Sequence, residues 1–143
     1  MDAYNATGNA RYLIPLERIY GLKLRQSRFA GQNAFSGYGE GHVFINGERR
    51  DSSVVVLPDE VRDWPGGSLE ADALSPLRSL PVEILLLGTG RRLRFPAAAL
   101  IVVFRQQGLG LEVMDTQAAC RTYNILLAEG RKVGAALIIE ASA

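Results

Sequence analysis

Between Leu109 and Ile139 the chain reads as strand, helix and strand, one βαβ-like unit on which everything earlier in the chain has to pack. A short apolar run ends at Met114. Asp115 or Thr116 then offers the side-chain oxygen that the unpaired N–H groups of a helix start require. The helix is expected to run to about Glu129, and Gly130 is the residue type that closes helices in the left-handed conformation. Val133–Ile139 follows, small and apolar enough to be buried on both faces of a sheet. Such a unit leaves two apolar strands and one helix face to be covered, so the rest of the chain must pack on it.

The remainder is sufficient for that task. With 143 residues, 48% of them hydrophobic, one domain with a sizeable core is expected. The formal net charge of +1 gives no whole-protein field favouring nucleic acid or an anionic membrane. A single cysteine excludes an internal disulfide and a cysteine-based metal cluster. One histidine beside it argues against a zinc site, so no metal or cofactor is expected. Apolar runs such as Ala97–Phe104 fall far short of the roughly 20 residues a membrane-spanning helix needs.

Residues 1–28 carry Arg11, Arg18, Lys23, Arg25 and Arg28 against Asp2 and Glu17. They read as a basic, partly ordered N-terminal arm, with residues 29–143 as a single α/β domain. A mitochondrial transit segment is the weaker reading of the same bias. Tyr12–Leu24 has helical spacing broken by Pro15 and Gly21, a helix or an irregular arm. Gly37, Gly39 and Gly41 alternate beside Phe35 and Tyr38, which marks a strand or loop where another group lies close. His42–Ile45 is a strand, and Asn46-Gly47 predicts a tight hairpin turn. The returning strand is expected at Ser52–Leu57, stopped by Pro58. Asp59–Trp64 reads as a polar connection. Ser68 is placed to cap a helix through Leu80, short or kinked because of Pro76. Val82–Leu87 reads as a central strand. Phe95-Pro96 is expected to start a helix with proline at its first position, presenting Ala97, Leu100, Ile101 and Phe104 on one face. The alternation of strands and helices predicts an α/β sandwich, and the hairpin makes its sheet mixed.

In open α/β sheets, ligands bind beyond the carboxyl ends of strands. Two such ends are polar here: Gly88-Thr89-Gly90 with Arg91, and Asp115-Thr116. If their strands are parallel neighbours, the two loops face one cleft. The glycine loop could lend N–H groups and the Thr89 hydroxyl to an anion, with Arg91 as counter-charge. A tight strand exit that needs glycine for geometry is the preferred alternative. Cys120 lies a turn inside the helix beside Arg121, with Asn124 at i+4 on its face. A helix start and an arginine both favour thiolate. A buried, inert cysteine is nevertheless preferred, because His42 is the sole histidine available as a base and reads as a structural strand residue. Asp115 either caps the helix or pairs with Arg121. Arg91, Arg92, Arg94 and Arg105 form either a small basic patch or an ordinary solvated face.

The run Glu112-Val113-Met114-Asp115-Thr116, then Ala118-Ala119-Cys120-Arg121-Thr122-Tyr123-Asn124-Ile125-Leu126, then Glu129-Gly130-Arg131 resembles the family of domain of unknown function 498, also called Mth 938-like. Asn46-Gly47, the stretch from Val56-Leu57-Pro58 to Trp64, and Glu83 to Gly90 agree with it. The resemblance covers about Asn33 to Ile139. It implies a single-domain, three-layer α/β/α sandwich around a mixed, roughly five-stranded sheet with an N-terminal β-hairpin. It also implies convergence of Gly88, Thr89, Gly90, Asp115, Thr116, Cys120, Arg121 and Asn124, with no catalytic residue to carry over. The family includes a mitochondrial assembly factor for respiratory complex I. The function expected is therefore a non-enzymatic protein-interaction or assembly role. The partner would be a protein, with no nucleic acid and with membrane association only through that partner. A monomer or weak dimer in the bacterial cytoplasm is expected, the mitochondrial matrix being the minor alternative. The competing reading is a small-molecule or anion-binding protein, or an enzyme, using the cleft between Thr89 and Asp115. A thiol-dependent role for Cys120 is the third.

Overall fold

The computed structural model describes residues 31–140. The expectations for residues 1–28, including Tyr12–Leu24, lie outside them. Contacts divide the chain after Gln32, and the fold described is that of the unit from Asn33 onward.

That unit begins with a small antiparallel sheet of β1 (Phe35–Gly39), β2 (His42–Ile45) and β3 (Glu48–Arg50), in that order. Asn46 and Gly47 both have positive φ, 51° and 85°, and join β2 to β3 as a two-residue turn. The turn is the one expected, but the strand returning from it is Glu48–Arg50 rather than Ser52–Leu57. Val54–Leu57 has all four residues buried, so it cannot serve as the rim of a small hairpin. It is instead β4 of a second, larger sheet. The connection expected at Asp59–Trp64 also contains a strand, β5 (Glu60–Asp63), which pairs antiparallel with β4. In the sequence its charges favour a loop. On an edge strand the same charges face solvent and discourage pairing with other chains.

Ser68 does not cap a helix. Its Oγ accepts from the Glu70 N–H at 3.2 Å, and one turn of helix, α1 (Ala71–Leu74), starts later with no side-chain cap. A 3₁₀ turn over Ser75–Ser79 carries Pro76, so the segment resolves into two short turns. Next come β6 (Ile84–Gly88), α2 (Ala98–Gln106), β7 (Gly110–Met114), α3 (Thr116–Ala128) and β8 (Val133–Leu137). Pro96 precedes the helix instead of opening it. Ala97 is extended at ψ 141° and is the N-cap of α2, because contacts to Thr89 hold Arg92 and Arg94 in a loop first. Ala97 is thus exposed rather than part of the buried face.

The large sheet has the order β5-β4-β8-β6-β7. β8, β6 and β7 are parallel, while β4 runs antiparallel to β8, so the sheet is mixed. From β6 the chain passes through α2 to its neighbour β7. It then returns through α3, over β6, to β8. The two crossovers move in opposite directions across the sheet, and right-handed connections then require helices on opposite faces. One face carries Val55, Leu57, Leu85, Leu87, Leu111 and Ala136 under Trp64, Leu74, Leu77 and Phe104. By strand alternation Val54, Val56, Leu86, Ala135 and Leu137 point the other way, toward the side where α3 meets β6, β8 and β1. Ala119, Tyr123 and Leu127 are the buried stripe of α3. Tyr123 also holds the small sheet, its ring edge-on to Phe35 with centroids 5.2 Å apart. The result is a three-layer sandwich whose third layer combines α3 with the small sheet.

Candidate functional site

β6, β7 and β8 end level with one another, Gly88 lying in register with Met114 and Leu137. The two polar loops predicted to share a cleft are therefore neighbours. The ladder runs past the strand ends: the Thr89 N–H donates to the Met114 carbonyl at 2.9 Å, and the Ile138 N–H to the Gly88 carbonyl at 2.8 Å.

Thr116, the first residue of α3, ties these exits together. Its hydroxyl donates to the Ile138 carbonyl at 2.8 Å and accepts from the Gly90 N–H at 2.8 Å. Its own N–H donates to the Gly90 carbonyl at 3.0 Å. This approach is so close that a Cβ on Gly88 would lie 3.0 Å from the Thr116 Cα and 2.8 Å from Leu137 Cδ2. Thr89 is fully buried. Its hydroxyl donates to the Arg92 carbonyl at 2.6 Å and accepts from the Arg94 N–H at 3.1 Å. The Arg94 guanidinium donates in turn to the Thr89 carbonyl at 2.7 Å. Glu140 closes the loop from outside, accepting from the Arg91 N–H at 2.9 Å and pairing with the Arg91 and Arg94 side chains at 3.8 and 3.5 Å.

Asp115 caps α3, its carboxylate accepting from the Ala118 N–H at 2.9 Å. Arg121 reaches away from it: Nη1 donates to the Tyr38 hydroxyl at 2.8 Å, and the guanidinium lies 5.9 Å from that ring's centroid. Cys120 is 1% exposed. Burial pushes its thiol well above the ordinary range, and the nearby Arg121 charge only partly opposes this. Asn124 points toward the small sheet. Its carboxamide accepts from the Phe35 N–H at 2.9 Å and donates to the Phe35 carbonyl at 2.7 Å, filling the place of a neighbouring strand.

Gly88, Thr89, Gly90, Asp115 and Thr116 thus come together, and Arg91 and Arg121 flank them. Asn124 is turned toward β1, and Cys120 is buried. Beside the strand ends lies a cleft of about 380 Å³, lined by Glu40, His42, Arg91, Asp115, Gln117 and Arg121 among others. Its far wall is the β1–β2 turn, which sequence reasoning does not assign to a site. The alternating glycines are the available signal. A Cβ on Gly39 would lie 2.5 Å from His42 Cε1, so the imidazole rests on bare backbone there. His42 Nδ1–H donates to the Glu40 carbonyl at 3.0 Å, and its ring meets Phe44 edge-on. Among the described residues no group of three or more His, Cys, Asp or Glu side chains is placed to hold a metal ion. The cleft offers both cations and carboxylates to a visitor.

The protein-family model "Protein of unknown function (DUF498/DUF598)" matches residues 35–138. NADH dehydrogenase (ubiquinone) 1 alpha subcomplex assembly factor 3 of Homo sapiens is 35% identical over 122 residues, covering 82% of this chain and 66% of that protein. The match therefore spans just under two thirds of the human protein's length. An uncharacterized protein of Rhodobacter capsulatus is 36% identical over 116 residues, covering 80% of this chain and 90% of that one. Among solved structures, a Bordetella pertussis protein described as a Mth938-like domain superposes with a TM-score of 0.67 at 30% identity. It covers 80% of this chain and 90% of its own.

Proposed function

The chain belongs to the DUF498/DUF598 family of proteins of unknown function, and from that premise we propose that it is a non-enzymatic assembly factor acting on a protein partner. The partner best supported is a subunit of a respiratory NADH dehydrogenase. The human relative bears the name of such an assembly factor and is 35% identical over 122 residues. The geometry is consistent with that role. At the strand ends Thr89, Thr116 and Asp115 are engaged within the fold, and Cys120 is sealed from solvent. These side chains act as positioning groups for the sheet and α3, which suits a rigid surface presented to another protein. Among the described residues no helix is long and apolar enough to cross a membrane. In this reading the protein works in the bacterial cytoplasm, as a monomer or weak dimer that meets its target on the cytoplasmic side.

Deletion of the gene in the native bacterium, followed by native gels of solubilised membranes stained for NADH dehydrogenase activity, tests this. Loss of the assembled complex with accumulation of partial assemblies is expected, restored by the wild-type chain and equally by Cys120→Ser. A full complement of assembled complex in the deletion strain would refute the proposal.

A second reading is favoured by the cleft itself, whose lining brings Arg91, Arg121 and His42 together with the first residues of α3. In this reading the cleft takes a small anion. Inorganic phosphate and simple dicarboxylates should then raise the melting temperature of the wild type and not of Arg121→Ala. A shift of equal size in both proteins would remove Arg121 from the site.

A further inference from the structure

From Ile84 to Leu111 the chain contains no aspartate or glutamate, yet it contains Arg91, Arg92, Arg94 and Arg105. The same stretch holds three of the exposed large hydrophobic side chains: Leu93 at 52%, Phe95 at 64% and Val102 at 48%. Their exposure has a structural cause. Arg94 is drawn inward to the Thr89 carbonyl and to Glu140, and its two neighbours Leu93 and Phe95 are left outside. Past the loop, Ala98, Val102 and Arg105 recur at i, i+4 and i+7 on α2, which places them on one helix face. Phe104 is the buried residue of the opposite face. Along this stretch the exposed side chains therefore include large apolar ones, and the charged ones are all basic. Glu140 balances part of that charge through Arg91 and Arg94. Arg92 and Arg105 are exposed on the same stretch.

We propose that the Arg91–Phe95 loop and the outer face of α2 dock directly on an anionic lipid surface. Leu93 and Phe95 would enter the headgroup boundary, and Arg92 and Arg105 would face phosphates. The charge pattern is what selects this occupant. A second copy of the chain meeting the same face would oppose arginine to arginine. A neutral apolar partner would leave those guanidinium groups unmatched at its edge. A bilayer carrying phosphatidylglycerol satisfies both components at once, since apolar side chains entering the headgroup boundary and arginines attracted to anionic lipid each add to interfacial binding. The weak net charge of +1 does not oppose this, because attraction within a Debye length depends on the local charge.

Co-sedimentation of the full chain with vesicles tests the assignment. Binding is expected to vesicles of phosphatidylglycerol and phosphatidylcholine, to fall with salt, and to be absent from pure phosphatidylcholine. Each arginine charge removed should lower the partition coefficient about fivefold, so Arg92→Glu with Arg105→Glu should reduce it by well over an order of magnitude. Leu93→Ser with Phe95→Ser should weaken binding while sparing its salt dependence. All four positions are exposed, and a thermal melt of each variant confirms the fold. Leu93→Trp supplies an independent readout: the emission of the new indole should shift to the blue on vesicles and be quenched by brominated lipid, whereas Trp64, 8% exposed, should not respond. Failure of the wild type to bind the anionic vesicles would overturn the proposal. So would binding undiminished in both double variants, which would assign it to another face, or an emission from the Leu93→Trp variant unmoved by lipid. Capture of an acidic peptide without vesicle binding would overturn it in favour of a protein occupant.

Discussion

Replacing Thr116 with valine removes one oxygen atom and almost no volume, and it should be among the most destabilising conservative changes available to this chain. The hydroxyl joins the Gly90 N–H to the Ile138 carbonyl, each at 2.8 Å, beneath a surface where Thr116 is 8% exposed. Valine would leave both groups buried without that partner. Each orphaned buried polar group costs about 1–3 kcal/mol, and the added methyl recovers a fraction of the sum. A net loss of about 2–4 kcal/mol is expected from those two groups. For a domain of this size that lowers the melting temperature by roughly 6–20 °C. The control is Thr116→Ser, which keeps the hydroxyl and gives up one methyl, at about 1 kcal/mol. Equilibrium urea unfolding followed by Trp64 fluorescence measures both, because the chain's one tryptophan is buried in the folded state. If valine proves as stable as wild type, or more stable than serine, the hydroxyl does not hold the strand exits together and the reasoning fails.

Two further outcomes can be checked on the same material. Burial disfavours the ionised forms of both Cys120 and Tyr123 and raises their pKa above the ordinary values. The folded state therefore retains protons that the unfolded chain releases, and stability is complete below the unfolded values and lost as pH rises above them. Unfolding titrations should show decline beginning near about pH 8.5, the range of a free thiol, and steepening near about pH 10. Cys120→Ala should remove the first component, and the native thiol should resist labelling until the protein unfolds. Asn124→Ala should cost about 1–3 kcal/mol by releasing both backbone groups of Phe35. Hydrogen exchange should then accelerate in β1 before the large sheet responds, and uniform acceleration of both sheets would contradict a local lock.

The β7–α3–β8 unit can be read from the sequence because its signals are local. Asp115 caps its helix through the N–H of Ala118, Gly130 adopts φ 80° to end it, and Val133–Leu137 has no polar side chain to place it elsewhere. The convergence of the Gly88 and Asp115 loops is also legible, through the rule that parallel strands deliver their carboxyl ends to one edge. Where each hydroxyl and carboxamide turns is not. Thr116 reaches a carbonyl 22 positions away and Asn124 a strand 89 positions away, and such partners depend on packing rather than on neighbours in the chain. The hairpin's return strand eludes the sequence for a related reason. Val54–Leu57 has stronger strand character than Glu48–Arg50, yet the two-residue turn fixes pairing by proximity and leaves the stronger strand for the larger sheet.

The place of β8 in the sheet has a consequence for how the molecule comes into being. It lies between β4 and β6, and it is the strand that joins the β4–β5 hairpin to the β6–β7 pair. Among the described elements it is also the last to be synthesised. While a ribosome still holds residues 133–137, the two halves of the sheet have no backbone connection, and β4 and β6 each present an unpaired inner edge. The nascent chain must keep those edges from other chains until β8 slides between them. Completion of the large sheet therefore waits for β8 to emerge, and its pairings with β4 and β6 join residues far apart in the chain, the kind of contact that slows folding in general.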